Sequence, residues 1–177
     1  GYQLETDALF NTPLLVAGEY LSQSDLTEWI AKLMRITTGA DVGYHNSGGT
    51  RTNIDDGEMI NLGVLYQIWP FDNIIKTTYL TGAQIKSFGG AVRDTEIELF
   101  DDDTYYLVAA NDYVFDKDYY PFVNGINSNN TGLLLRDIAV SELELQKILN
   151  ESFLMTNTIL STIMIPIPQP PVQNTQG

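Results

Sequence analysis

The clearest pattern of apolar and polar positions along this chain is helical. Leu26, Trp29, Ile30, Leu33 and Met34 fall at i, i+3, i+4, i+7 and i+8, which gathers them on one face of a helix over residues 25–37. Asp25 and Glu28 have capping-box spacing at its start, and Gly39 offers a left-handed stop at its end. A short strand over residues 40–44 runs into the corner His45-Asn46-Ser47-Gly48-Gly49-Thr50-Arg51. Asn61 caps a short helix that Trp69-Pro70-Phe71-Asp72-Asn73 breaks, because a proline pushes its predecessor out of helical geometry. Residues 74–80 are rich in β-formers, and Thr81 with Gln84 opens a brief helix ending near Gly89-Gly90. Strands over 95–100 and 104–110, joined by Asp101-Asp102-Asp103, have the spacing of a hairpin. Residues 111–130 show no sustained period and read as a long loop, with turn chemistry from Gly125 to Gly132. A last helix is expected over 141–154, capped by Ser141 and Glu144, with Leu145, Ile148 and Leu149 on its apolar face. Residues 163–167 and the run Pro168-Gln169-Pro170-Pro171 are expected to be extended and largely unpacked. Helices and strands in irregular alternation predict an α+β domain, a mixed β-sheet with helices packed on it. The expected division is a lead-in over 1–23, a domain over 24–165 and a Pro-rich tail over 166–177.

Composition narrows the partners. The 177 residues suit one domain with its own core. A net charge of −14 disfavours DNA or RNA as a partner, since such binding rests on cations that neutralise phosphates. Only 18% of residues are charged while 44% are hydrophobic, so the acidity belongs to the surface of a folded protein rather than to a disordered tail. The absence of cysteine removes disulfides, thiolate nucleophiles and cysteine-ligated metals. No apolar run approaches the length of a membrane span. Gly1 in place of Met reads as a processed or excised chain.

Candidate chemistry concentrates in few places. His45 is the single histidine, so it either serves catalysis alone or satisfies backbone groups at a strand end. Carboxylates are too many and too scattered to single out an acid/base pair, and solvated loops account for them. The loop from Asn46 to Arg51 is more specific: an amide, a glycine pair and a guanidinium follow directly on a strand. Such a set can read a planar, heteroatom-rich ligand, or it can be a tight turn whose Arg51 pairs a nearby carboxylate. Phe71, Tyr119 and Tyr120 are loop aromatics, either core plugs or stacking platforms.

Three ordered motifs carry a resemblance. Ala40-Asp41-Val42 leading to Asn46-Ser47-Gly48-Gly49-Thr50-Arg51, then Pro70-Phe71-Asp72-Asn73, then Leu80-Thr81-Gly82-Ala83-Gln84-Ile85-Lys86 resemble the C-terminal domain of the 5′-nucleotidase family. The resemblance covers residues 24–88, resumes over 105–113 and extends weakly over 133–149. It implies a 5′-nucleotidase C-terminal-like α+β fold that recognises a nucleoside or nucleotide. A separate metallophosphoesterase domain, in cis or as another chain, would hold divalent metals and hydrolyse the ester. Asn46, Gly48, Gly49 and Arg51 match the family's substrate loop, and Phe71 matches its base-stacking phenylalanine. The second stacking ring follows a Gly-Gly-Asp-Gly motif in the family; here Asp116-Lys117-Asp118-Tyr119-Tyr120 keeps Asp118 and Tyr120 and loses the glycines. The hairpin segment between Gly90 and Thr95 is shorter than in relatives. The resemblance further implies a periplasmic, cell-surface or secreted hydrolase of nucleotide catabolism, with no catalytic residue, metal or cofactor in this chain and no hydrolysis by it alone. Phosphates would face the partner domain's metals, so an acidic chain can still hold a neutral base. The lost glycines and shortened hairpin equally fit a non-catalytic interaction domain with a degenerate pocket.

Overall fold

The computed structural model describes residues 10–149, 152–158 and 163–172. Its elements, in chain order, are β1 (Pro13–Ala17), α1 (Gln23–Thr38), β2 (Val42–His45), β3 (Met59–Asn61), α2 (Leu62–Ile68), β4 (Ile74–Thr81), α3 (Gly82–Lys86), β5 (Val92–Thr95), β6 (Tyr105–Asn111), α4 (Asp112–Phe115), β7 (Ile126–Leu134), α5 (Leu135–Leu149) and β8 (Ser152–Phe153). Short 3-10 turns occupy Ser47–Gly49, Pro121–Asn124 and Met155–Asn157. The strands form a five-stranded sheet, β5-β2-β6-β4-β7, and a three-stranded one, β3-β1-β8. Both sheets are mixed: β2 and β6 run parallel, as do β1 and β8, and every other pairing is antiparallel.

Strand alternation explains why there are two cores. Leu107 and Ala109 of β6 face a cluster shared with Leu26, Ile30 and Leu33 of α1 and Ile138 and Leu143 of α5, whereas Val108 and Ala110 face Val42, Tyr44, Phe115 and Phe122. A strand buried on both faces reads as a continuous apolar run, as Leu107-Val108-Ala109-Ala110 does. That run overturns the expected hairpin. β6 is central, between β2 and β4, while its supposed partner is the edge strand β5 at residues 92–95, paired to β2 instead. The Asp101-Asp102-Asp103 turn remains, closed by Thr104 N–H donating to Asp101 O at 3.3 Å.

Helix α1 begins two residues before the expected start. Ser22 and Asp25 make its capping box, each side chain accepting the other's backbone N–H, and Asp25/Glu28 do not. Gly39 ends it at φ 69°. The helix lies close on β2: a Cβ on Gly43 would meet Ala31 O at 2.1 Å, so only glycine admits this approach. Asn61 and Thr81 cap α2 and α3 as the sequence predicts.

Three further expectations change. Residues 111–130, read as loop, contain α4 and most of β7, a polar edge strand whose Asn-rich sequence carries no apolar period. The last helix starts at Leu135, and Ser141 lies inside it, its hydroxyl donating to Asp137 O at 3.0 Å. Its buried face is Leu135, Ile138, Ala139, Glu142, Leu143 and Gln146, while Ile148 and Leu149 stay 77% and 65% exposed. The part of the expected helix beyond Leu149 lies partly outside the described residues, and Ser152–Phe153 form β8. Within the lead-in, β1 pairs with both β3 and β8. The tail is extended but anchored: Met164 N–H donates to Thr37 O at 2.8 Å, Tyr79 Oη–H to Pro168 O at 2.7 Å, and Asn127 Nδ2–H to Gln169 O at 2.8 Å.

Candidate functional site

Because β2 and β6 are parallel, their C-terminal ends lie side by side, and the chemistry-bearing residues His45-Asn46 and Asn111-Asp112-Tyr113 meet there. Asn111 joins them. Its Oδ1 caps α4 by accepting Val114 N–H at 2.9 Å, so its Nδ2 is the donor toward His45 Nδ1 at 2.7 Å and Asn46 Oδ1 at 2.9 Å. This assigns the proton of the neutral imidazole to Nε2. Burial holds His45 down at about 4, so the ring is uncharged near neutrality. A Cβ on Gly49 would stand 2.8 Å from both Cε1 and Nε2 of that ring, which is why the loop carries glycine there. His45 thus supports the loop from beneath.

The second turn, Trp69 to Asn73, is tied to the same loop. Arg51 N–H donates to Ile68 O at 2.7 Å, and Trp69 Nε1–H donates to Thr50 Oγ1 at 3.0 Å, where the buried Thr27 hydroxyl is also bonded. Arg136, almost fully buried on α5, donates to Trp69 O at 2.8 Å and Phe71 O at 2.9 Å and pairs with Asp72. Its guanidinium also stacks on Tyr66, 3.8 Å from the ring centroid. Asn73 Nδ2–H donates to Asp112 Oδ1 at 2.8 Å, which links this turn to the start of α4.

Between these pieces lies a cavity of about 300 Å³ lined by Asn46, Gly48, Gly49, Arg51, Phe71, Asn73 and Tyr113. Phe71 and Tyr113 are 49% and 55% exposed, which leaves ring surface open at the cavity mouth. Arg51 is the one charged side chain of that lining, and no carboxylate is part of it. The same Arg51 borders two wider grooves, of about 520 and 530 Å³, that run toward Gln23 and Ser24 at the start of α1. Asn46, Gly48, Gly49, Arg51 and Phe71 therefore share one cavity. Asp118 and Tyr120 are not among its lining residues: Asp118 is exposed, and the Tyr120 ring packs on Phe88 and Phe122 with centroids 5.5 and 5.9 Å away.

Sequence reasoning passed over Asn73, Tyr113, Asn111, Asp112 and Arg136. The available signal was a second polar-aromatic corner, Asn111-Asp112-Tyr113, directly after a buried apolar strand, the same pattern as His45-Asn46. Arg136 sits in a segment read as preceding the last helix, so nothing local marked it. Among the described residues no group of three or more His, Asp or Glu side chains is placed to hold a metal ion. No described helix is long and apolar enough to cross a membrane.

The architecture, a mixed sheet with helices packed on it, is the fold of 5′-nucleotidase C-terminal domains. Residues 5–88 match the sequence profile described as "5'-nucleotidase, C-terminal domain". Solved structures with this fold include a 5′-nucleotidase precursor from Thermus thermophilus, at 18% identity and TM-score 0.71, covering 82% of this chain and 39% of that one. Another is the NAD nucleotidase of Haemophilus influenzae, at 19% identity and TM-score 0.67, covering 82% and 37%. A sulfate thiohydrolase from Thermus thermophilus follows at 16% identity and TM-score 0.56, covering 81% and 34%. The chain spans less than two fifths of the length of each of these three structures. A sequence search of curated proteins gives no match.

Proposed function

We propose that this chain is the substrate-recognition domain of a 5′-nucleotidase-like phosphoester hydrolase, and that its cavity holds the base of a nucleoside or nucleotide. The observation that carries the reading is the convergence of the Asn46–Arg51 loop with Phe71, from a turn twenty residues on, on one cavity with a half-exposed aromatic wall. A planar base can stack on Phe71 while amide groups of Asn46 and Asn73 meet its edge. Asn46 Oδ1 and Asn73 Nδ2 are engaged by Asn111 and Asp112, which leaves Asn46 an amide donor and Asn73 a carbonyl acceptor at the wall. Arg51, at the junction with the outer grooves, suits a hydroxyl or anionic group projecting from the base. Divalent metals and the hydrolytic step belong to a metallophosphoesterase domain, in cis or on a separate chain, in a periplasmic, cell-surface or secreted setting.

A titration of the 177-residue chain with adenosine, guanosine and uridine tests this. Binding in the micromolar-to-millimolar range is expected, weakened about tenfold by Phe71→Ala, as befits loss of a base–aromatic stack. Absence of binding by the wild-type chain, or binding indifferent to Phe71→Ala, overturns the reading. The loss of the glycines before Tyr120, with Asp118 and Tyr120 outside the cavity lining, favours a second reading, a non-catalytic domain that keeps the fold with a degenerate pocket. In that case the domain serves as an interaction module, and mixing it with a metallophosphoesterase chain gives neither complex nor stimulated hydrolysis.

A further inference from the structure

We propose that Tyr113, and not Tyr120, supplies the second aromatic wall of the cavity, facing the ligand together with Phe71. The inference rests on the base-binding reading above and names the residue that completes it. Tyr113 lies in the first turn of α4 and lines the same cavity as Phe71, with more than half of its surface uncovered. Tyr120 is differently employed. Its ring is inserted among Phe88, Tyr119 and Phe122, with centroids 5.5, 4.7 and 5.9 Å away, and its hydroxyl oxygen sits 3.1 Å from where a Cβ of Gly90 would be. Withdrawing it to stack on a ligand would cost those contacts, whereas Tyr113 makes no ring–ring contact among the described residues, although its charge is felt by Tyr120.

The mount of Tyr113 also suits the role. Asn111 caps α4 on one side of the ring's residue, and Asp112 on the same turn binds Asn73, two residues from Phe71. One hydrogen bond therefore fixes the spacing between the backbones that carry the two rings. Lys117 Nζ lies 4.2 Å from the Tyr113 ring centroid, a cation–π contact that holds the ring without burying it. Loss of the glycines before Tyr120 and use of Tyr113 then describe one change, in which the stacking ring moves upstream onto the helix.

The test is an adenosine titration of the full chain by calorimetry, with Tyr113→Ala, Tyr113→Leu, Tyr113→Phe, Tyr120→Leu and Phe71→Ala, each checked for a native thermal melt. We expect Tyr113→Ala and Tyr113→Leu to weaken binding about tenfold, because neither keeps an aromatic face. Tyr113→Phe keeps the face and stays within about twofold of wild type, and Tyr120→Leu does likewise. If Tyr113→Ala binds as wild type while Phe71→Ala loses affinity, this inference falls and the base-binding reading stands. If Tyr120→Leu melts normally yet loses affinity while Tyr113→Ala keeps it, the second wall belongs to Tyr120. If wild type binds no adenosine, guanosine or uridine, both readings fall together.

Discussion

The two sides of the cavity are built to different standards of rigidity. The side carrying Asn46 to Arg51 and Phe71 rests on buried polar groups: Arg136 spans two carbonyls of the Phe71 turn, Trp69 bonds Thr50, and His45 fills the space under Gly49. The side carrying Tyr113 stands on a four-residue helix, held by a cap, one amide–carboxylate bond and a lysine over the ring. A wall fixed by buried hydrogen bonds is preorganised, and its geometry is expensive to alter. On the other side, Val114 and Phe115 anchor the short helix in the core, while the Tyr113 ring itself is held only at the surface. The difference bears on the proposed base-binding role: under it, the braced side would set the plane on which a base stacks, and the Tyr113 side would be where related chains can differ.

The strongest way to break this contrast is to remove the brace of the fixed side. Arg136→Ala leaves the buried Trp69 carbonyl and the half-buried Phe71 carbonyl without this donor and is expected to lower stability by about 3 kcal/mol, read from urea unfolding. Asp72, the exposed partner, contributes little of that, so Asp72→Ala should cost well under a third as much. Near-equal losses in the two variants would show that the ion pair and not the carbonyl contacts holds the turn.

The second effect is titration of the support beneath the loop. His45 is neutral in the fold down to about 4, while in the unfolded chain it protonates at its ordinary value of 6.5. Its contribution to stability is therefore whole above 6.5, drains away as pH falls from 6.5 toward 4, and does not change below that. Between pH 7.5 and pH 5 the expected loss is on the order of 2 kcal/mol. His45→Gln should flatten that interval of the stability curve, and an unchanged slope in the variant would assign it to other groups.

Of the same order is the link between the sides. Asn111→Ala removes the cap of α4 and the bond to Asn46 together, with an expected cost of about 2 kcal/mol and a broadening of the Tyr113 resonance. The smallest effect falls on the Tyr113 side, where Lys117→Ala removes only a single cation–π contact at the surface, about 0.5 kcal/mol. A Lys117→Ala loss comparable to that of Arg136→Ala would erase the contrast between the two sides.

What the sequence made legible follows from locality. Capping boxes and strand-to-loop corners are written within a few residues, so Asn61, Thr81 and the Asn46–Arg51 loop were placed where the structure has them. The α+β class followed from the alternation of those signals. Pairing is not local: Leu107 to Ala110 read as half of a hairpin because the identity of a strand's neighbours depends on distant β2 and β4. Polar edge strands carry no period at all, which hid β7 inside an apparent loop. The site divides the same way. Contiguous motifs gave Asn46, Gly48, Gly49, Arg51 and Phe71, but Tyr113 and Arg136 enter only through folding, one by the parallel strand ends and the other across 64 residues from Asp72.

The anchored tail has a consequence for life in a crowded solution. β7 is the last strand of its sheet, and its outer edge would offer another chain a row of unpaired backbone groups. Residues 165–168 lie along it, fastened at Tyr79 and Asn127, and the prolines at 166, 168, 170 and 171 bring no N–H with which to recruit a further strand. The segment screens this one edge, across a groove that both line, without adding a strand rich in N–H groups beside it. Without it, the outer backbone of β7 would lie bare to any extended strand that reached it.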